Sequence, residues 1–287
     1  MSETVAVLKK SKSKKNSQIA MAWRRFRRNK LAMAGLLIII VIFIIAVFAK
    51  FVAPYPFEEQ HLKDSLKGPS LKYLFGTDQY GRDILSRVIY GSRVSLMVGI
   101  FSVTLAATLG CIIGAIAGYF GGAIDNILMR IIDIILSIPA MLLAISISAM
   151  LGPGLFNAMI SISVTGVGSF ARITRSSVLS ERDQEYIEAV RSVSCGNLRI
   201  IFRHIFPNIL APIIVQFSLN VASSILAAAG LSFIGLGIQP PIPEWGAMLS
   251  AGRSFIRYNW WLTVFPGIAI MLTVYGFNLI GDGLRDA

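Results

Sequence analysis

From Leu31 to Ala53 the chain is apolar except for Lys50. Crossing a bilayer core takes roughly 20 mostly apolar helical residues, because without water every backbone N–H and C=O must be satisfied inside the segment. Residues 31–53 are therefore long enough to span, with room for tilt. The stretch follows a basic start, and Val47-Phe48-Ala49 could pass for a cleavage site. A secretory signal, however, has an apolar region of only about 7–15 residues, so this is read as an uncleaved first helix. With 55% apolar and 15% charged residues in 287, a soluble globular chain is excluded. The fold class is an all-α polytopic membrane protein.

Pro54-Tyr55-Pro56 ends the first span, and residues 54–93 read as an extracytoplasmic polar hairpin. Within it FGTDQYGRD has Gly and Asp where tight turns need them. In DILSRVIYGSR, Ile84, Leu85, Val88 and Ile89 share one helical face, as in a helix lying in the interface. Further spans are expected at 94–120, 127–151, 155–173, 208–236 and 262–284, so residues 94–287 hold five helices and the chain six. Residues 1–30 carry +9 of the net +12. A basic tail can bind nucleic acid, but this one abuts a spanning helix, where cytoplasmic retention by anionic lipid accounts for it; no nucleic-acid partner is expected. With both termini cytoplasmic, the inner side collects eighteen Lys and Arg and the outer side nine.

Gly110, Gly114 and Gly118 lie on one face of the second span, where small side chains let helix backbones approach closely. The partner is another helix of this chain or a second subunit. Ala227, Ala228, Ala229 and Gly230 make a similar surface. Arg130 and Asp133, three apart near the start of the third span, are ionisable groups at membrane depth. They either line a polar pathway or satisfy one another as a structural pair, and the pair is preferred. Pro139 removes a backbone bond later in that span and should kink it. Cys111 and Cys195 occupy such different settings that no disulfide or metal site is expected.

Residues 174–207 are too polar to span. Ser180 and Asp183, in SERD, read as a capping-box start, after which Tyr186, Ile187, Val190 and Val193 share one helical face. Gly196-Asn197 breaks that helix, and LRIIFRHIF begins a second amphipathic helix stopped by Pro207. A helix, turn and helix with an apolar side, placed between two spans, needs something to cover that side. Docking on a cytoplasmic partner is preferred over packing on its own chain alone.

This stretch resembles the EAA motif of permease subunits of ATP-binding-cassette importers. Glu188, Ala189 and Pro207 match it, Val190 and Phe206 are near matches, and Ser194 stands where the family has Gly. Gly196 offsets that departure if it makes the turn with a positive φ. FGTDQYGRDILSRVIYGSRVSL, DNILMRIIDIILSIPAMLLAI, AAGLSFIGLGIQPPIPEWGAMLS and FNLIGDGLRDA are similar to the dipeptide and oligopeptide branch, specifically the C-type member of its two unlike permease subunits.

The resemblance implies the type I importer permease fold in a bacterial plasma membrane. It implies a second homologous permease subunit, two ATPase subunits carrying ATP and Mg, and an extracytoplasmic solute-binding protein. No cofactor is expected on this chain, which has no GxxxxGK[ST] phosphate loop and no nucleophile or metal constellation. An intramembrane enzyme built on Asp133 lacks a second carboxylate, and an ATP-independent channel does not need the amphipathic insertion. The resemblance makes Glu185, Tyr186, Glu188, Ala189, Val190, Ser194, Gly196, Arg203 and Pro207 the ATPase-coupling set. Arg130, Asp133 and Pro139 are candidates for pathway or gating. The stiff QPPIPEW loop offers Pro240, Pro241 and Trp245 to the binding protein. Di- and oligopeptides are the expected substrates, with nickel chelates, glutathione or another small solute as alternatives.

Overall fold

The computed structural model describes residue 21, residues 23–193 and residues 195–287. Among the described residues the structure is helical, with one isolated bridge between Thr77 and Asp83 as its only β pairing. Helix α1 (Lys30–Val47) starts where Asn29 accepts hydrogen bonds from the amides of Leu31 and Ala32. Such a cap satisfies donors that have no partner within the helix. Leu37, Phe43 and Ile44 are each half or more exposed, which in a chain this apolar is a lipid-facing surface.

Helix α2 (Ile84–Phe120) is one continuous 37-residue helix. The interfacial helix expected at 84–93 is thus its first turns, and Ile84 and Ile89 are buried in protein. Helix α3 (Gly122–Ser137) and helix α4 (Ala140–Leu151) meet at 90°. The expected kink at Pro139 is therefore a break, because Ile138 and Pro139 are both extended (ψ 130° and 126°) and proline biases its predecessor out of the helical region. Helix α5 (Leu155–Arg182) runs past residue 173. Ser180 belongs to its last turn and Asp183 is its C-cap, so the capping-box start expected there is not formed. Then follow α6 (Glu185–Ser192), α7 (Leu210–Phe233), α8 (Trp245–Gly252) and α9 (Trp261–Asp286).

Among the described residues four helices, α1, α2, α7 and α9, are long and apolar enough to cross a membrane, and the bent α3–α4 pair would make a fifth. Helix α5 falls short in hydropathy because its polar side chains are kept inside the protein. Ser148 donates to Ser161 across α4 and α5 at 3.0 Å, both fully buried. The glycine stripe resolves to its own chain. A Cβ at Gly110 would stand 2.6 Å from Phe170 Cβ and from Val167 O, and one at Gly118 would stand 2.9 Å from Arg175 O, so α2 lies directly against α5. The small surface on α7 is also filled internally, with Gly230 against Met141 and Ala229 against Gly246.

The 54–83 loop folds back on the start of α9. Phe75 and Phe265 stack, and Trp261 Nε1 donates to Thr77 O at 3.3 Å. Asp64 gathers Lys67, Lys72 and the Tyr73 hydroxyl.

Candidate functional site

Helix α6 is eight residues, begun by Gln184 with Glu185 and Glu188 in its first turn. Acidic groups there complement the unpaired amides and the positive end of the helix dipole. Its apolar face divides. Ile187 is fully buried and Val190 partly so, but Val193 is 76% exposed. The second leg is not a regular amphipathic helix. Asn197–Arg199 form one α-turn, Ile200–Ile205 a π-helical stretch and Phe206–Asn208 a 3-10 turn. Pro207 lies inside that last turn instead of stopping a helix. It cannot donate to the preceding turn, and the ladder changes type around it.

Ile200, Ile201 and Ile205 are buried and fix the leg to the bundle, whereas Leu198 and Phe202 are 70% and 63% exposed. Val193, Leu198 and Phe202 thus stand uncovered on a segment that Ile187, Ile200 and Ile205 hold down. The Tyr186 hydroxyl donates to Glu181 and accepts from Asn208 Nδ2 at 2.8 Å. Desolvation, and next Glu181, raise the pKa of that hydroxyl. Tyr186 therefore bridges the end of α5 to the entry of α7.

The segment is also bound to the end of α2. Arg182 Nη1 donates to Gly118 O at 3.1 Å and Tyr119 O at 3.4 Å, which satisfies carbonyls a helix leaves unpaired at its C-terminus. The Tyr119 hydroxyl donates to Asn197 at 3.0 Å, and the Arg191 guanidinium lies over the Tyr119 ring. Glu188, Ala189 and Arg203 are exposed. Ser194 lies outside the described residues. Gly196 has φ −64° with nothing near a Cβ placed on it, so the positive φ expected there is absent and the turn does not require glycine.

Arg130 and Asp133 do not pair with each other. Asp133 accepts from Arg172 Nη2 on α5 at 2.8 Å, and Arg130 makes no ion pair among the described residues. Arg preceding an acid along a helix is the poorer orientation for such a pair, and the neighbouring helix supplied a better one. A second pair that the sequence did not suggest, Asp125 with Arg175, joins the same helices through both carboxylate oxygens. An open cleft of about 510 Å³ is bordered by Asp125, Arg130, Asp133 and Arg175. Pro240 and Pro241 are exposed, but Trp245 is 1% exposed, and its Nε1 donates to Val88 O at 3.0 Å. Trp245 is thus a core residue and drops out of the surface offered by its loop.

Lipid-facing apolar helices around a bundle, with one polar helical insertion fixed to it, define a multi-pass membrane protein. Residues 110–287 match the family described as binding-protein-dependent transport system inner membrane component, and residues 17–69 match the N-terminal transmembrane domain of oligopeptide transport permease C. The chain belongs to this family of inner-membrane permease components. It is 51% identical to a dipeptide transport system permease protein DppC of Alkalihalophilus pseudofirmus, over 93% of this chain and 88% of that one. It is 44% identical to a di/tripeptide transport system permease protein DppC of Pseudomonas aeruginosa (92% and 89%) and 45% identical to a glutathione transport system permease protein GsiD of Escherichia coli (92% and 88%). Its fold is that of a chain in an inward-facing structure of the MetNI methionine ABC transporter, with a TM-score of 0.57 at 18% identity, over 69% of this chain and 95% of that one. The protein is thus a permease subunit of an ABC importer and has the type I importer fold.

Proposed function

We propose that this subunit forms one wall of a pathway for di- and oligopeptides and that residues 183–205 transmit ATPase closure to it. The observation that carries the coupling role is the uncovered apolar set Val193, Leu198 and Phe202 on a segment otherwise anchored by buried isoleucines. Apolar side chains on an anchored polar element are what a groove on a partner would take up. A second homologous permease subunit completes the pathway, and two ATPase subunits that bind ATP and Mg seat the segments. An extracytoplasmic solute-binding protein docks near Pro240 and Pro241. The termini and residues 174–207 are cytoplasmic, and residues 54–93 and 237–261 lie outside. Arg130, Asp133 and the Pro139 break border the inner part of the route. Peptides are preferred because the relatives at 51% and 44% identity are named for peptide transport.

Coupling is a difference in contact energy between the open and closed ATPase states, as in any ligand-driven shift. Glu188→Lys tests it. A reversed charge at a desolvated interface costs several kcal/mol, while membrane insertion is untouched because the residue lies outside the spans. Uptake and ATP hydrolysis in the reconstituted complex should become uncoupled or be lost. Normal coupled transport by Glu188→Lys would overturn the assignment.

A further inference from the structure

We propose that Arg82 and Arg87 form a binding site for a small carboxylate in the cleft between the 54–83 loop and helix α8. Both arginines are buried, at 7% and 6% exposure, yet they share one acid, Asp78. Asp78 is already committed. Its Oδ1 accepts from the amides of Tyr80 and Arg82, and its Oδ2 accepts from Arg82 Nε at 2.6 Å. Arg87 Nε stands 3.8 Å from Oδ2, beyond hydrogen-bond reach. The nearby Asp83 and Glu244 are spent on the N-termini of α2 and α8, where they accept from Ser86 and from Gly246 and Ala247. Arg87 is left with no carboxylate within hydrogen-bond distance among the described residues.

The guanidinium donors are also incompletely used. Arg87 Nη1 donates to Phe57 O and Pro241 O, but among the described residues Nη2 of Arg87 and both terminal nitrogens of Arg82 make no hydrogen bond. No sealed side-chain nitrogen or oxygen in the described structure lacks a partner, so these donors open onto accessible space. The space they border is a cavity of about 90 Å³, walled by Pro240, Ile242, Met248, Ala251 and Leu262. That is several times the roughly 15 Å³ a single water needs. Asp78, Gln79 and Tyr80 border the same space, but the Asp78 oxygens are already engaged, and the free guanidinium donors beside the apolar wall suit a planar anion with a short hydrocarbon tail. Carboxylates accept from such forks through two oxygens, and the apolar surround strengthens the attraction.

An occupant would tie the loop before α2 to the Pro240–Pro241 segment and α8. The carboxylate could be supplied by the C-terminus of a transported peptide or by an acidic side chain of the solute-binding protein. Either source rests on the transport reading above, whereas occupancy of the site does not.

The test is thermal unfolding of the reconstituted complex in sodium acetate against sodium chloride at equal ionic strength. With acetate at about four times its dissociation constant, binding should raise the folded-to-unfolded ratio about fivefold over chloride. Arg82→Gln should abolish that difference. Ala251→Leu, at an exposed position that lines the cavity, should do the same by filling it without touching an ion pair. Equal stability in acetate and chloride for the native complex overturns the site, as does an undiminished acetate effect in Ala251→Leu. A peptide source predicts that glycyl-leucine acts like acetate and glycyl-leucinamide does not. A binding-protein source predicts that neither dipeptide acts and that docking the binding protein removes the acetate effect. Normal coupled transport by Glu188→Lys in a complex that keeps the acetate effect would count against the coupling proposal alone.

Discussion

Three glycines separate the reasons for which a side chain can be forbidden. At Gly114 the obstacle is a neighbour: a Cβ would stand 2.9 Å from Thr174 Cβ and 3.0 Å from Arg175 N. Both belong to α5, which cannot retreat without unpacking α2. Gly114→Val should destabilise by about 1–3 kcal/mol or more, seen as a lowered unfolding midpoint of the purified complex. At Gly122 nothing would touch a Cβ, but φ is +57°. Gly122→Ala should therefore cost about 1–2 kcal/mol from backbone strain alone. Gly196 has neither restriction, and Gly196→Val should leave stability nearly unchanged. The positive φ expected at Gly196 rests on a common pattern, in which a glycine after a helix ends it with a left-handed residue. In this chain Gly196 begins the next turn.

Between elements, the two α3–α5 ion pairs should differ in weight. Asp133 and Arg172 are 50% and 58% exposed, so water already solvates both, and Asp133→Asn should cost at most about 1 kcal/mol. Asp125 is 12% exposed, and Arg175 spans both of its oxygens while remaining 35% exposed. Asp125→Asn should cost more, about 1–3 kcal/mol after discounting for the water that reaches Arg175. Unfolding of the two variants side by side would decide, and equal effects would contradict the burial argument. The 54–83 loop carries a pH dependence of its own. Hydrogen bonds from Lys67, then Lys72 and Tyr73, hold the Asp64 carboxyl well below its ordinary 3.8. For a depressed carboxylate the stabilisation is fully present above that ordinary value and is lost as pH falls below it toward the folded-state pKa. Protease protection of the loop should therefore weaken below about pH 4, and Asp64→Asn should weaken it already at neutral pH and flatten the profile.

For the whole molecule, the proposed orientation predicts which surfaces meet the outside. In a chain with Cys111 and Cys195 replaced, Leu71→Cys should react rapidly with an impermeant maleimide applied to intact cells, since Leu71 is fully exposed. Glu185→Cys should react only after permeabilisation. Rapid outside labelling at 185 would invert the topology. Replacing Pro240 and Pro241 together by Ala should weaken stimulation of ATP hydrolysis by the binding protein while leaving basal hydrolysis intact. An unchanged response would remove the docking role from that loop.

The sequence by itself determined that the chain crosses a membrane, where its long apolar segments lie and which polar stretch interrupts them. These are demands that a bilayer places on each segment separately, so a one-dimensional pattern can meet them. The resemblance carried by Glu188, Ala189, Pro207 and the flanking motifs located the family for the same local reason. What only the tertiary structure decided is which surfaces meet. It chose α5 as the partner of the glycine stripe, Arg172 in place of Arg130 as the partner of Asp133, and the core instead of the surface for Trp245. It also merged the expected interfacial helix into α2 and turned the chain through 90° at Pro139. Each outcome depends on a neighbour far away along the chain. Whether a polar side chain is satisfied by its own helix or by the next one is a competition between contacts that local sequence does not contain.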